Sequence, residues 1–153
     1  MKSLTLAAWF AAFLIMIGVF AVAAPYRSDP GPFNRTAKVS RVIDGDTFVI
    51  STGERIRVRN FDTPELRSYD CPEEKIAAQG ARRAARALLT RQTVRLSITG
   101  KDRYGRMVAD VALLKPAGSR DFVDAMVSTG HGARWRYGKE PQPNWCPAGR
   151  RWG

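Results

Sequence analysis

The sequence is poor in the side chains that bind soft metals. Its 153 residues include two cysteines and one histidine, which are too few and too far apart for a structural zinc site. Acidic residues are also scarce, with 14 against 25 lysines and arginines and a formal net charge of +11. A surplus this large favours a polyanionic partner, although an anionic membrane surface would attract the same chain.

A long uncharged apolar run lies at the N-terminus. Lys2 precedes the apolar residues 4–24, and the small-residue pattern AVA at 21–23 ends the run. This arrangement predicts a secretory signal peptide over residues 1–23. The run also approaches the ~20 residues that cross a bilayer, so an uncleaved membrane anchor is the alternative. In either case we expect an exported protein, which is secreted, periplasmic or held at the membrane only through this segment.

A short linker and one domain are expected to follow. Residues 24–35 are rich in proline and glycine and lack periodicity, which predicts a linker, and residues 36–153 then form the domain. In an exported domain an even number of cysteines suggests a disulfide, here between Cys71 and Cys146. Two free buried thiols are the alternative.

The pattern of apolar residues predicts an α+β domain that is mainly β. Alternation indicates strands over 37–43, 55–59 and 93–99, and strands are also expected after the turns that precede 47–50 and 106–114. Helices are expected at 72–90, with Pro72 in the first turn, and at 119–129, with Ser119 as the N-cap. Three strands, a helix, two strands and a helix is the element order of a five-stranded OB-fold barrel, here with two to three helices.

Three short motifs carry the chemistry: IDGDT at 43–47, RVRNFDTPE at 57–65 and DRYGR at 102–106. Each motif alone is typical of an ordinary turn or loop. Asp46 and Asp62, however, lie at the ends of strands that are neighbours in the predicted meander. Two carboxylates brought together repel each other unless a cation lies between them. Oxygen ligands of this kind suit Ca²⁺ or Mg²⁺.

The same motifs contain the other groups that phosphodiester cleavage needs. The backbone carbonyl of Thr63 is well placed to complete a metal shell, and Glu65 is close enough in sequence to reach a metal-bound water. Arg57 and Arg106 can each make forked hydrogen bonds to a phosphate. A phosphodiester between a divalent cation and two guanidiniums is set for in-line attack, because these groups offset the charge of the transition state.

These motifs, in this order, closely resemble those of the thermonuclease, or staphylococcal nuclease-like, family over residues 37–132. The resemblance implies an OB barrel and Ca²⁺-dependent hydrolysis of DNA and RNA to 3′-phosphate and 5′-hydroxyl products. We expect single-stranded substrates to be preferred and the protein to be a monomer.

The resemblance also implies a role for each motif residue. Calcium would be bound by Asp46, Asp62 and the carbonyl of Thr63, with Asp44 as a nearby supporting acid. The scissile phosphate would be bound by Arg57 and Arg106, and Glu65 would position or activate the water. The turn that contacts the nucleotide phosphate would consist of Asp102, Arg103 and Tyr104. Whether Glu65 is a general base or only organises the water network stays open at this point.

The C-terminal part of the chain departs from the family pattern. Staphylococcal relatives have two tyrosines after the second helix, one of which stacks on the base, whereas this chain has RWRY at 134–137. Trp135 or Tyr137 would either stack on a base or pack in the core. His131 is expected to be structural, and the long third helix of those relatives is missing from the pattern.

Two other functions are compatible with parts of the sequence. The first is a catalytically inactive OB-fold module that only binds nucleic acid; such a descendant would usually have lost one of the five residues Asp46, Arg57, Asp62, Glu65 and Arg106, and all five are present. The second is a basic, membrane-tethered binding protein. This function would not explain the carboxylates of Asp46 and Asp62. The sequence therefore favours the enzyme.

Overall fold

The computed structural model describes residues 33–115 and 118–148. The predicted signal or anchor segment, and the linker up to residue 32, lie outside the described residues. Within the described part, no helix is long and apolar enough to cross a membrane. Its elements are β1 (Arg35–Val42), β2 (Thr47–Ile50), β3 (Arg55–Val58), β4 (Phe61–Asp62), α1 (Pro72–Leu89), β5 (Thr93–Lys101), β6 (Met107–Lys115), β7 (Gly118–Asp121), α2 (Phe122–Val127) and β8 (Ala133–Arg134).

Five of these strands close into a barrel. Antiparallel pairing gives the order β3-β2-β1-β5-β6, and a parallel pairing of β3 with β6 closes the ring. In that parallel pair Arg57 lies opposite Val108 and Val58 opposite Ala109. The predicted α+β class and five-stranded OB-fold barrel are therefore confirmed.

The barrel interior is filled by the apolar residues of the alternating strands. Phe48, Ile56, Val94 and Leu96 are all fully buried. Helix α1 covers the barrel with small side chains that let it approach closely, and its buried positions include Ala81, Ala85 and Leu89. This core holds the strand ends that carry the three motifs at defined positions.

Helix α1 begins as its sequence predicts. Pro72 occupies the first turn, where its missing amide hydrogen costs nothing. Glu73 and Glu74 lie in the same turn and complement the positive end of the helix dipole. The preceding residue, Cys71, is the N-cap and joins Cys146 in a disulfide that links residues 75 positions apart.

The predicted second helix, 119–129 with Ser119 as its N-cap, is wrong at its start. Residues Gly118–Asp121 instead form β7, which pairs with β6 and places Ser119 opposite Leu114. Because the backbone is committed to this ladder, the helix begins only at Phe122. Its N-cap is Asp121, whose carboxylate accepts a hydrogen bond of 2.9 Å from the amide of Asp124.

A second, two-stranded sheet forms where the sequence indicated only a loop and an unassigned tail. Strand β4 pairs with β8, so that Phe61 lies opposite Arg134 and Asp62 opposite Ala133. Gly132 makes this pairing possible, because a Cβ at that position would lie 2.3 Å from Cζ of Phe61. The pairing brings the C-terminal segment against the residues that follow β3.

Candidate active site

The structure brings Asp46, Arg57 and Asp62 together at one end of the barrel. Asp46 immediately precedes β2, Arg57 lies in β3, and Asp62 ends β4. Nη1 of Arg57 is 2.7 Å from Oδ2 of Asp46, and its Nη2 is 3.6 Å from Oδ1 of Asp62. The guanidinium therefore contacts both of the predicted metal ligands.

Both carboxylates are almost inaccessible to water. Asp46 is 5% exposed and Asp62 is 1% exposed. A buried carboxylate is costly unless a cation or hydrogen-bond donors surround it. Thr47 supplies one donor, since its hydroxyl lies 2.9 Å from Oδ1 of Asp46.

Two further acids add negative charge to this cluster. Burial, and then the charge of Asp46, raises the pKa of Asp44 to about 7. Burial also raises the pKa of Glu65, and the charges of Asp46 and Asp62 raise it further. The pKa of Asp62 is raised by burial, against the opposing effect of its hydrogen bond from Trp145. One guanidinium does not balance this many acids.

The donor set fits a hard divalent cation. Oδ1 of Asp44 is buried and has no hydrogen-bond partner among the described residues, and the surrounding ligand atoms are all oxygens, which Ca²⁺ prefers. Among the described residues, the one set of three acidic or sulfur ligand atoms within 4.8 Å of one another is Cys71, Glu74 and Cys146, and its two sulfurs are bonded to each other. The oxygens of the acidic cluster lie farther apart than this, so a cation there would also need carbonyl and water ligands.

Thr63 and Gly45 fix the spacing of the two acidic motifs. Thr63 is 2% exposed. A Cβ on Gly45 would lie 2.7 Å from Cγ2 of Thr63 and 2.8 Å from its Oγ1. Only a glycine in the IDGDT turn therefore lets that turn pack directly on the segment that follows Asp62.

Arg106 is held in place by its own turn. Asp102 accepts hydrogen bonds of 2.9 Å from the amides of Tyr104 and Arg106, and one of 2.6 Å from Nε of Arg106. Nη1 of Arg106 lies 3.5 Å from the hydroxyl of Thr47, and this hydroxyl in turn contacts Asp46. The third motif is thus connected to the acidic cluster, and the oxygens of Asp102 are engaged inside the turn.

A cleft of about 390 Å³ opens beside Arg57. Cationic and aromatic side chains line much of this cleft, namely Arg57, Arg59, Arg103, Tyr104, Arg106, Trp135 and Tyr137. Tyr104 is 58% exposed and Tyr137 is 75% exposed, while the ring of Trp135 lies 5.5 Å from that of Tyr137 at 82°. The two aromatic residues of the tail therefore line the cleft and are not in the core.

Sequence reasoning missed the residues that contact Asp62 from the C-terminal segment. Nε1 of Trp145 donates to Oδ2 of Asp62 at 3.0 Å, and Nε2 of Gln142 lies 3.5 Å from Oδ1. The predicted cysteine pair was the one signal in the sequence that pointed to this region. Thr47 was also missed as a contact of Asp46 and Arg106, although it lies inside the first motif. His131 packs near Gly80 of α1, since a Cβ added to Gly80 would lie 3.4 Å from Cε1 of the His131 ring.

Comparison with known proteins gives a consistent result. A family model described as "Staphylococcal nuclease homologue" matches residues 55–144, a span that contains Arg57, Asp62, Thr63, Glu65 and Arg106. A thermonuclease of Staphylococcus intermedius is 33% identical over an alignment of 126 residues that covers 74% of this chain and 72% of the relative. A thermonuclease of Staphylococcus hyicus is 31% identical over an alignment of 116 residues that covers 67% of this chain and 68% of the relative.

Proposed function

This chain belongs to the family of staphylococcal nuclease homologues, and on that premise we propose that it is a calcium-dependent nuclease that hydrolyses phosphodiester bonds of DNA and RNA. One observation carries the proposal. Buried Asp46 and Asp62 converge on Arg57 at the edge of a cationic cleft. A binding module has no need for such a costly acidic cluster next to its nucleic-acid surface.

In this proposal Asp46, Asp62 and the carbonyl of Thr63 hold the cation, and Asp44 supports them from the adjoining turn. When bound, a divalent cation polarises the phosphoryl group and stabilises the charge that develops on it. The residues themselves supply position, because the packing of Gly45 on Thr63 fixes the two carboxylates relative to each other.

Arg57 and Arg106 are the proposed phosphate ligands. Both line the cleft. Asp102 engages Nε of Arg106 and Thr47 contacts Nη1, which leaves Nη2 for the substrate. Nη2 of Arg57 is 3.6 Å from Oδ1 of Asp62. Because this contact is long, the guanidinium can exchange it for a shorter one to a phosphate oxygen. Asp102 then acts by orienting Arg106, while Arg103 and Tyr104 form the exposed wall of the cleft.

Glu65 is proposed to orient or deprotonate the attacking water. Its amide donates to Oε1 of Glu74 at 3.0 Å, which ties its loop to α1. Its raised pKa brings the carboxylate closer to the range in which a general base works near neutral pH. The water oxygen bonds to phosphorus, the P–O5′ bond breaks, and O5′ takes up a proton. The products are a 3′-phosphate and a 5′-hydroxyl.

The cleft and the N-terminal sequence support the remaining parts of the proposal. Exposed Tyr137 presents a ring on which an unpaired base can stack, which favours single-stranded substrates. The disulfide between Cys71 and Cys146 suits an oxidising compartment outside the cytoplasm, as a signal or anchor segment over 1–23 would require. We propose that the enzyme acts there as a monomer.

A calcium-titrated digestion of single-stranded DNA and RNA tests the proposal. We expect the purified protein to degrade both substrates with Ca²⁺, to stop when the ion is chelated, and to leave 3′-phosphate and 5′-hydroxyl ends. Retention of the substrate on a filter without any cleavage would show an inactive nucleic-acid-binding module instead. Cleavage that persists after chelation would contradict the role of the cation.

A further inference from the structure

The C-terminal tail, defined as residues 138–148, reaches into the proposed active site. It contains no strand or helix, yet Trp145 donates its indole N–H to Oδ2 of Asp62 at 3.0 Å. With the tail in place Asp62 is 1% exposed, so its carboxylate depends on donors from the protein. The tail therefore satisfies a buried carboxylate that the barrel itself leaves open on one side.

The disulfide holds the tail in this place. Cys146 follows Trp145 directly and is bonded to Cys71, the N-cap of α1. The loop between Asp62 and Cys71 is itself fixed to α1, since Glu74 accepts hydrogen bonds from the amides of Glu65 and Asp70 at 3.0 and 2.6 Å. The covalent bond thus joins an otherwise irregular tail to the segment that carries the carboxylate.

The indole is suited to orient a metal ligand. Trp is a neutral donor with a single N–H and no acceptor, so it engages Oδ2 without competing for a cation. The other oxygen, Oδ1, lies 3.6 Å from Nη2 of Arg57 and 3.5 Å from Nε2 of Gln142. Donors of this kind, which contact a ligand and not the metal, fix the orientation of the ligand and affect metal affinity by roughly 10–100-fold.

We propose that Trp145 is a positioning residue for Asp62, placed there by the Cys71–Cys146 disulfide, and that it sets the affinity of the site for a divalent cation. The inference rests on the proposed function, since it requires Asp62 to be a metal ligand. The inference makes the C-terminal tail part of the proposed active site through Trp145.

Calorimetric titration of the purified protein with calcium chloride alone, without nucleic acid, tests the inference. W145F keeps the aromatic packing and removes the N–H, and we expect its calcium dissociation constant to rise roughly 10–100-fold. Without calcium its melting temperature should fall, because the buried carboxylate of Asp62 loses one donor, and its cleavage rate should return toward the wild-type rate at saturating calcium. W135F is the matched control, because it also loses one indole hydrogen bond, here 2.9 Å to the carbonyl of Glu140, and should keep the wild-type calcium affinity.

Unchanged or tighter calcium binding by W145F would overturn this inference and leave the proposed function intact. A wild-type protein that binds no calcium would overturn both. The double variant C71A/C146A examines the disulfide separately. If the bond acts through Trp145, adding W145F to that background weakens calcium binding by no more than about twofold, as expected for one shared effect; a full additional loss would show that the disulfide does not place the indole.

Discussion

Two cavities have lining residues that contact Asp62, and the two cavities differ in charge. The cleft of about 390 Å³ is cationic and aromatic, with Arg57, Arg103, Arg106 and Tyr137 among its lining residues. The other cavity, of about 590 Å³, is acidic and is bordered by Glu65, Asp70 and Glu74 together with Gln142 and Trp145 of the tail. Asp62 contacts both sides, since it faces Arg57 of the cleft and Trp145 of the acidic cavity.

This difference separates two tasks that oppose each other electrostatically. A phosphodiester is attracted by guanidiniums, whereas a cation and a water that must lose a proton are favoured by carboxylates. Where the two sets meet they partly neutralise each other, as Arg57 does with Asp46 and Asp62. In the proposed site Arg57 and Asp62 lie where the two sets meet, with the phosphate expected on the side of the cleft and the cation among the carboxylates.

The strongest way to break this separation is to remove Arg57. R57A should lower the cleavage rate by about 10³-fold or more, because a guanidinium on a transferring phosphoryl group contributes at that scale. It should also destabilise the calcium-free protein by about 3 kcal/mol, since two buried acids lose their counter-charge, and calcium should restore part of that stability. Rates and denaturant midpoints measure the two effects.

R57K and R83A are the controls for this variant. R57K keeps the positive charge but cannot make the paired hydrogen bonds of a guanidinium to a phosphate. R57K should therefore show most of the loss in cleavage rate that R57A shows. R83A removes an exposed arginine of α1 and should cleave at the wild-type rate. A fully active R57A would remove this residue from the proposed site.

On the acidic side, E65Q should lower the rate by about 10²–10⁴-fold, the usual contribution of a general base or of a residue that orients water. The amide has nearly the same shape, so the domain should fold and bind calcium as before. D70N changes an exposed acid of the same cavity and should have little effect. Equal cleavage by wild type and E65Q would show that another group handles the water.

On the cationic side, Y137A should weaken the binding of single-stranded DNA by roughly 5–100-fold, because one stacked base is worth ~1–3 kcal/mol. Calcium affinity should not change, since Tyr137 lies in the cleft and away from the carboxylates. Fluorescence anisotropy with a labelled oligonucleotide in a chelator measures the effect, and Y137F, which retains the ring, should bind normally. If Y137A binds as well as wild type, the ring does not stack on the substrate.

The last expected effect concerns stability and not cleavage or binding: the stability of the calcium-free protein should depend on pH. The pKa of Asp44 is raised from 3.8 to about 7, so between these values the folded state holds more protons than the unfolded state. Stability should therefore fall as pH rises from about 4 to about 7. D44N should flatten this slope in denaturant unfolding with a chelator present; an identical slope in D44N would assign the effect to other acids.

Much of the barrel could be predicted because its signals are local. The alternation in β3, Pro72 at the start of α1, and the glycine-containing turns each depend on a few neighbouring residues, so they can be recognised in the sequence. The N-terminus of α2 was predicted wrongly for the opposite reason. Ser119 is a good cap in isolation, but its backbone pairs with Leu114 of β6, and that long-range pairing outweighs the local preference.

The sequence by itself determined the barrel class, the family, and the residue types of the acidic and basic motifs, because each depends on short-range pattern and composition. Only the tertiary structure decided that Arg57 contacts both acids, that Thr47 joins Asp46 to Arg106, and that Trp145 donates to Asp62 across 83 positions. The physical reason is that a hydrogen bond between distant segments depends on where barrel closure, the pairing of β4 with β8, and the disulfide place them. No local property of residues 138–148 contains that information.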